Sequence, residues 1–166
     1  MIHLIYGYGK GKTTASVGLS LRQVGRGGRV LYLQFLKNEP SGEIIMFEKI
    51  DNIDVMLSHD AKFSWTADEK DIENMKNASR ELMEKALTVA DNYTMVVFDE
   101  LLNALSGGII SEDEVIEIIT KIEAEIVLTG LKVTDKLLEL ADYASELKAV
   151  KHPYEKGIMA RIGIEY

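Results

Sequence analysis

The stretch GYGKGKTTAS at residues 7–16 follows directly on the apolar run Ile2–Tyr6 and precedes an alanine- and leucine-bearing segment. A strand that ends in closely spaced glycines and then opens a helix gathers several backbone N–H groups into one small loop, to which the helix adds the positive end of its dipole. Such a loop is built for phosphate. Lys12 reaches phosphate oxygens directly, and the Thr13 hydroxyl, one residue on, is placed to ligate a magnesium ion. Gly7, Gly9, Lys10, Gly11, Lys12, Thr13 and Thr14 are therefore the candidate phosphate-binding set. The generic signature G-x-x-x-x-G-K-[ST] asks for glycine five residues before Gly11, but Tyr6 stands there and the glycine comes one place later, at Gly7.

Behind the loop the chain alternates. Short runs rich in Val, Ile, Leu, Tyr or Phe lie at Ile2–Tyr6, Arg29–Phe35, Ile53–Leu57, Met95–Asp99, Glu125–Thr129 and Ala144–Val150, and each reads as a strand. Helix-length segments lie between them. From about Asp68 to Asn92, residues Ile72, Met75, Ser79, Leu82, Ala86, Val89 and Tyr93 recur at spacings of three and four, which gives one stripe facing the core. Ser111, with Glu114 three residues on, predicts a capped helix start. Strands alternating with helices, several of the strands apolar almost throughout, predict an α/β fold with a mainly parallel sheet covered by helices on both faces. The last run, Arg161–Tyr166, alternates in period two and is a candidate antiparallel edge strand. With 166 residues and 46% hydrophobic content, residues 1–166 are expected to form a single nucleotide-binding domain.

A phosphate loop calls for an acid to complete a metal site. The segment MVVFDE, Met95–Glu100, is an apolar strand ending in two carboxylates, as expected at the carboxyl end of a neighbouring parallel strand. If the strand runs through both, Asp99 and Glu100 point to opposite faces, so that one meets the nucleotide and the other anchors locally. Composition closes off other chemistries. The chain has no cysteine, which removes disulfides, thiolate catalysis and Cys-based metal sites. Its net charge of −8 disfavours nucleic-acid and membrane-surface partners, which need clustered Lys and Arg. Neither a signal-peptide start nor an 18-residue apolar run is present, so a soluble cytoplasmic protein is expected.

The segments GYGKGKTTAS, VLYLQFLKN, KFSW, VVFDELLNAL, VLTG, LLELADYASELKAVKHPYEKGI and GIEY, in this order and spacing, resemble the P-loop cob(I)alamin adenosyltransferases, also called ATP:corrinoid adenosyltransferases. The resemblance runs from about Ile5 to Tyr166, and that family also carries a non-glycine residue where Tyr6 stands. It implies a RecA-like P-loop fold and transfer of the 5′-deoxyadenosyl group of ATP to Co(I) of a corrinoid, cobalamin or cobinamide, with release of triphosphate, in adenosylcobalamin biosynthesis or salvage. It also implies Mg2+ or Mn2+, a homodimer, and a flavoprotein reductant that supplies Co(I). Because the nucleophile is cobalt and the attacked atom is ribose C5′, the whole triphosphate leaves, and no amino-acid nucleophile is required.

By the same resemblance Lys12 and Glu100 are the catalytic candidates, Thr13 and Glu100 the metal ligands, with Asp99 as a further acid beside them. Phe63 and Trp65 of KFSW would pack against the corrinoid and help exclude its lower axial ligand, which eases reduction to Co(I). Without the resemblance, Trp65 reads as a core or loop anchor. His3 and His59 lack partners at metal-ligand spacing, and His152 sits in a turn framed by Pro153 and Gly157, so structural roles are expected for the histidines. Leu131 and Lys132 stand where the family typically has arginine after Thr129-Gly130. Some members carry an N-terminal extension over the site; here the first strand starts at residue 2, which is expected either to leave the corrinoid more exposed or to require another segment to close the site. Two other readings remain open on the residues. A kinase or hydrolase would yield ADP or phosphate, and a non-catalytic ATP- and corrinoid-binding module would bind without turnover.

Overall fold

The computed structural model describes residues 1–37, 41–58 and 67–165. Six strands form one sheet, β1 (Ile2–Tyr6), β2 (Val30–Gln34), β3 (Ile53–Leu57), β4 (Met95–Asp99), β5 (Glu125–Gly130) and β6 (Tyr143–Glu146). Their order is β3-β2-β4-β5-β1-β6, and every pairing is parallel. The helices are α1 (Lys12–Val24), α2 (Gly42–Phe47), α3 (Glu69–Val89), α4 (Leu101–Ser106), α5 (Glu112–Lys121) and α6 (Asp135–Leu140). This is the α/β architecture expected from the alternation, and it is consistent with a RecA-like P-loop fold.

Side-chain parity divides the core in two. Leu31, Leu33, Val96, Phe98, Ile126 and Leu128 face α3 to α6, while Val30, Tyr32, Met95, Val97 and Val127 face α1 and α2. Both faces of the central strands are thus covered, which is why β2 and β4 read as continuous apolar runs and are buried at every position. The stripe on the longest helix packs from Met75 on, with Met75, Ser79, Leu82 and Ala86 buried and Val89 and Tyr93 half-buried, but its expected first member, Ile72, is exposed near the helix start. Its first turn is closed by a reciprocal pair: the Asp71 amide donates to the Asp68 carboxylate at 2.8 Å, and the Asp68 amide to the Asp71 carboxylate at 3.1 Å.

The same device starts α5. The Ser111 amide and hydroxyl donate to Glu114 Oε2 at 2.8 and 2.6 Å, and Arg80 Nε donates to its other oxygen at 2.7 Å. The Ser111 hydroxyl and amide, then Arg80, lower the Glu114 carboxyl from 4.5 to about 2. A depressed carboxyl contributes stability that is fully present above the unfolded value and lost as pH falls through the folded one. Ser111→Ala is therefore expected to destabilise the fold by about 1 kcal/mol at neutral pH, and this deficit should shrink as pH falls from 4.5 toward 2. Denaturant melts across that range measure both effects.

The C-terminal expectations need correction. Residues 161–165 form a turn and no strand: Gly163 has φ 73°, the amides of Ile164 and Glu165 donate to Arg161 O, and Arg161 clasps Glu165 at 3.0 Å. A left-handed glycine and an i,i+4 ion pair curl a segment whose alternation alone looked extended. The sheet has no antiparallel edge strand among the described residues, and β3 and β6 are its edges. β6 also ends earlier than its apolar run, at Glu146. Beyond it the Leu147 amide still donates to Tyr6 O and the Leu147 carbonyl accepts from Gly9 N, both at 2.7 Å, so β6 runs out where its partner β1 bends into the glycine loop.

Candidate functional site

Three strand ends converge on one buried acid. Gln34 on β2 is the register partner of Asp99 on β4, and Phe98 is the partner of Leu128, which brings Thr129 alongside Asp99 on the other side. By period two, Gln34, Asp99 and Thr129 all lie on the α1 side of the sheet. Thr129 Oγ1 donates to Asp99 Oδ1 at 2.7 Å, Thr13 Oγ1 on α1 to the same oxygen at 3.0 Å, and Gln34 Nε2 to Oδ2 at 3.1 Å. Asp99 is fully buried. Burial pushes its carboxyl above the ordinary range, and the bonds from Thr129, Gln34 and Thr13, with the charge of Lys37, pull it back.

The glycine loop is anchored by β5 and by the strand end at β6. Tyr6 is still within the sheet, paired with Gly130 and Glu146, so the loop begins at Gly7 and the sequence departs from the generic signature at Tyr6. Gly7 has φ 112°, and its amide is within 3.1 Å of the carbonyls of both Gly130 and Leu131. A Cβ on Gly7 would lie 2.4 Å from Leu147 O and one on Gly9 2.8 Å from it, which excludes side chains at both positions. Gly11, also at φ 112°, caps α1, whose open first amides give a helix start its affinity for anions. Lys12 Nζ donates to Gly9 O at 3.0 Å, folding its charge back over the loop.

Glu100 does not continue the strand, so the two acids are not set on opposite faces of one. It caps α4 in the left-handed region at φ 65°, an uncommon conformation for a residue with a Cβ and one that clusters at functional sites. Its amide donates to Thr129 Oγ1 at 2.9 Å. Its carboxylate accepts from Asn103 Nδ2, and Asn103 Oδ1 in turn accepts from the Leu131 amide at 2.7 Å. Burial first, then the neighbouring Asp99, raises the Glu100 carboxyl; the charges of Lys12 and Lys37 and the Asn103 bond oppose them.

Two adjoining clefts open over this network. One, of about 210 Å3, is lined by Tyr8 to Thr14, Glu100 and His152. The other, of about 380 Å3, is lined by Val17, Lys37, Gly42 and Glu43. Thr13, Thr14, Ile164 and Glu165 line both, so the C-terminal turn forms a shared wall. The oxygen donors here, one hydroxyl and a carboxylate pair, suit a hard cation such as Mg2+ or Mn2+, which takes one or two protein oxygens and fills its shell with phosphate oxygens and water. Among the described residues no three His, Cys, Asp or Glu side chains cluster as a self-sufficient metal cage.

The structure thus gathers Gly9, Lys10, Gly11, Lys12, Thr13, Thr14 and Glu100 around one cleft, with Asp99 buried beneath it and Gly7 anchoring the loop behind it. Phe63, Trp65 and His59 lie outside the described residues. His3 contacts Glu125 at 2.8 Å and stacks on Tyr143 at 4.6 Å, away from the loop. His152 accepts from the Tyr154 amide at 3.3 Å in its turn while edging the smaller cleft. Sequence reasoning missed Gln34, Lys37, Asn103 and Thr129. The signal for Gln34 was present, as a lone polar side chain closing an apolar strand.

The sequence model of the family described as ATP:corrinoid adenosyltransferase BtuR/CobO/CobP matches residues 1–166. The corrinoid adenosyltransferase of Escherichia coli (strain K12) is 34% identical over 100% of this chain and 85% of its own length. The corrinoid adenosyltransferase CobA of Salmonella typhimurium (strain LT2) is 31% identical, over 100% of this chain and 85% of that protein. The corrinoid adenosyltransferase of Pseudomonas aeruginosa (strain PAO1) is 29% identical, over 96% and 80% respectively.

Proposed function

The chain belongs to the ATP:corrinoid adenosyltransferase family, and from that premise we propose how its residues carry the transfer of a 5′-deoxyadenosyl group from ATP to a corrinoid. The observation that carries the reading is the hydroxyl of Thr13, at the head of the phosphate loop, held against Asp99 with Glu100 lining the same cleft.

The Co(I) of the corrinoid substrate supplies the electron pair that forms the bond to ribose C5′. The C5′–O bond breaks, and triphosphate departs with the electron pair of that bond. The amides at the head of α1, with Lys10 and Lys12, hold the triphosphate and meet the charge that grows on its bridging oxygen. Gly7 and Gly9 keep the loop tight enough for that approach. Thr13 and Glu100 are the proposed ligands of a Mg2+ or Mn2+ ion, which when bound neutralises phosphate charge. Asp99 already accepts three hydrogen bonds, so it serves by orienting Thr13, whereas Glu100 has its carboxylate on the cleft. Phe63 and Trp65 are proposed to pack against the corrinoid on the strength of the family resemblance.

A homodimer is proposed, supported by exposed Tyr143, Val150, Tyr154, Met159 and Ile162 around the β6 edge and the C-terminal turns. A flavoprotein reductant and a cytoplasmic setting belong to the same reading. Among the described residues no helix is long and apolar enough to cross a membrane.

The deciding experiment is an anaerobic assay with ATP, magnesium and chemically reduced cob(I)alamin. Adenosylcobalamin and triphosphate are the expected products. ADP with phosphate would replace this reading by phosphoryl transfer, and binding without turnover by a non-catalytic module. In the same assay Glu100→Gln should raise the magnesium concentration for half-maximal rate at least about tenfold, and an unchanged magnesium titration would remove Glu100 from the metal site.

A further inference from the structure

We propose that Glu43 anchors the nucleoside half of ATP, its carboxylate accepting hydrogen bonds from the 2′- and 3′-hydroxyls of the ribose. The proposal rests on the reading that the glycine loop holds the triphosphate. Once the triphosphate is assigned to the cleft with Lys10 and Lys12, the rest of the substrate is a neutral diol-bearing sugar and a flat base. The adjoining cleft of about 380 Å3 is continuous with the first through Thr13, Thr14, Ile164 and Glu165, and its size is that of a small-ligand pocket. Val17 and Ile164 give it apolar walls. Glu43 is the carboxylate on the side of this cleft away from the loop.

That carboxylate is held in place. The Ser41 hydroxyl donates to Glu43 Oε1, and Gln34 Nε2 lies 3.4 Å from the same oxygen. Gln34 is fully buried, and the same amide nitrogen donates to Asp99 at 3.1 Å. One rigid NH2 group therefore bridges the acid under the phosphate loop and the acid in the second cleft. The Gln34 carbonyl oxygen finds no partner among the described residues, so the two carboxylates, and not that oxygen, fix how the amide is turned. Such a bridge sets the spacing between the triphosphate site and the sugar site, and so positions C5′, where a misplacement of about 1 Å is enough to cost a hundredfold in rate. A carboxylate whose bonds from Ser41 and Gln34 both reach one oxygen has lone pairs suited to two vicinal O–H donors.

The test compares equilibrium binding of ATP, 2′-deoxy-ATP, 3′-deoxy-ATP and inorganic tripolyphosphate, all with magnesium, to the wild-type chain, Glu43→Ala and Glu43→Gln. Wild type should bind ATP about tenfold or more tighter than either deoxynucleotide. Glu43→Ala should bind ATP only as tightly as the deoxynucleotides, with Glu43→Gln between, and tripolyphosphate should bind all three proteins alike. Retained tripolyphosphate binding also certifies that the variants fold. If the variants keep full discrimination for the ribose hydroxyls, Glu43 does not touch the sugar. If tripolyphosphate weakens in step with ATP, Glu43 acts on the phosphate or metal side and the proposal is overturned. Failure of the wild type to bind tripolyphosphate would instead overturn the phosphate reading of the loop, and the sugar site with it.

Discussion

Lys12→Ala is expected to lower kcat for adenosyl transfer by roughly a hundred- to a thousandfold, the loss seen when one preorganised donor is withdrawn from a developing anion. The reason lies in the leaving group. Triphosphate gains negative charge on its bridging oxygen as C5′–O stretches, so a cation beside it stabilises the transition state more than bound ATP. KM for ATP should rise much less than kcat falls, because Lys10, the metal and the amides at the head of α1 still bind the ground state. A hundredfold corresponds to about 2.7 kcal/mol of barrier. The fold should tolerate the change. Among the described residues the Lys12 ammonium makes one bond, to Gly9 O, and the loop is independently tied through Gly7 to β5 and through Gly9 to Leu147. Single-turnover kinetics under anaerobic conditions, with a thermal melt alongside, measure both statements. A wild-type rate in the variant would remove Lys12 from the chemistry.

What the sequence could reveal about this site depended on whether the relevant order was local. Strands β1, β3 and β4 begin and end where their apolar runs do, at Ile2–Tyr6, Ile53–Leu57 and Met95–Asp99; for the central β4, buried at every position, this is because both faces of a covered parallel sheet demand apolar residues until the strand leaves it. The loop was legible because glycine, lysine and threonine each do one job at one spacing. The strand order was not. Nothing in VLYLQ or VLTG says that β2 and β5 flank β4, and that pairing is what delivers Gln34 and Thr129 to Asp99. Nor could period two tell that Glu100 would turn into a left-handed cap rather than extend β4, since the departure is set by the amide bond to Thr129 on a neighbouring strand. At Arg161–Glu165 a local signal misled. The alternation read over Arg161–Tyr166 is weaker than one glycine at φ 73° and one ion pair across a turn.

The network around Asp99 also implies a trade between stability and activity. Its carboxyl is raised by burial, and a raised carboxyl gives stability that is fully present below the unfolded value and is lost as pH rises through the folded one. At neutral pH the ionised group therefore weakens the fold while serving the site. Asp99→Asn should consequently melt at the same temperature as wild type or higher at neutral pH, and the advantage should fade in acid, where wild-type Asp99 is protonated too. The local geometry permits it. The new amide can accept from Thr13 and Thr129 through its oxygen, and if Gln34 turns its own amide over, its carbonyl oxygen, without a partner among the described residues, gains a donor. Turnover should nonetheless fall about a hundredfold, because the charge that orients the Thr13 hydroxyl is gone, and the bridge from Gln34 to Glu43 is lost when the amide turns. Melts from pH 3 to 8 and the cobalamin assay on the same preparation decide the matter. A variant that loses stability at neutral pH would show that the anion supports the fold, and one that keeps the wild-type rate would show that its charge is not used.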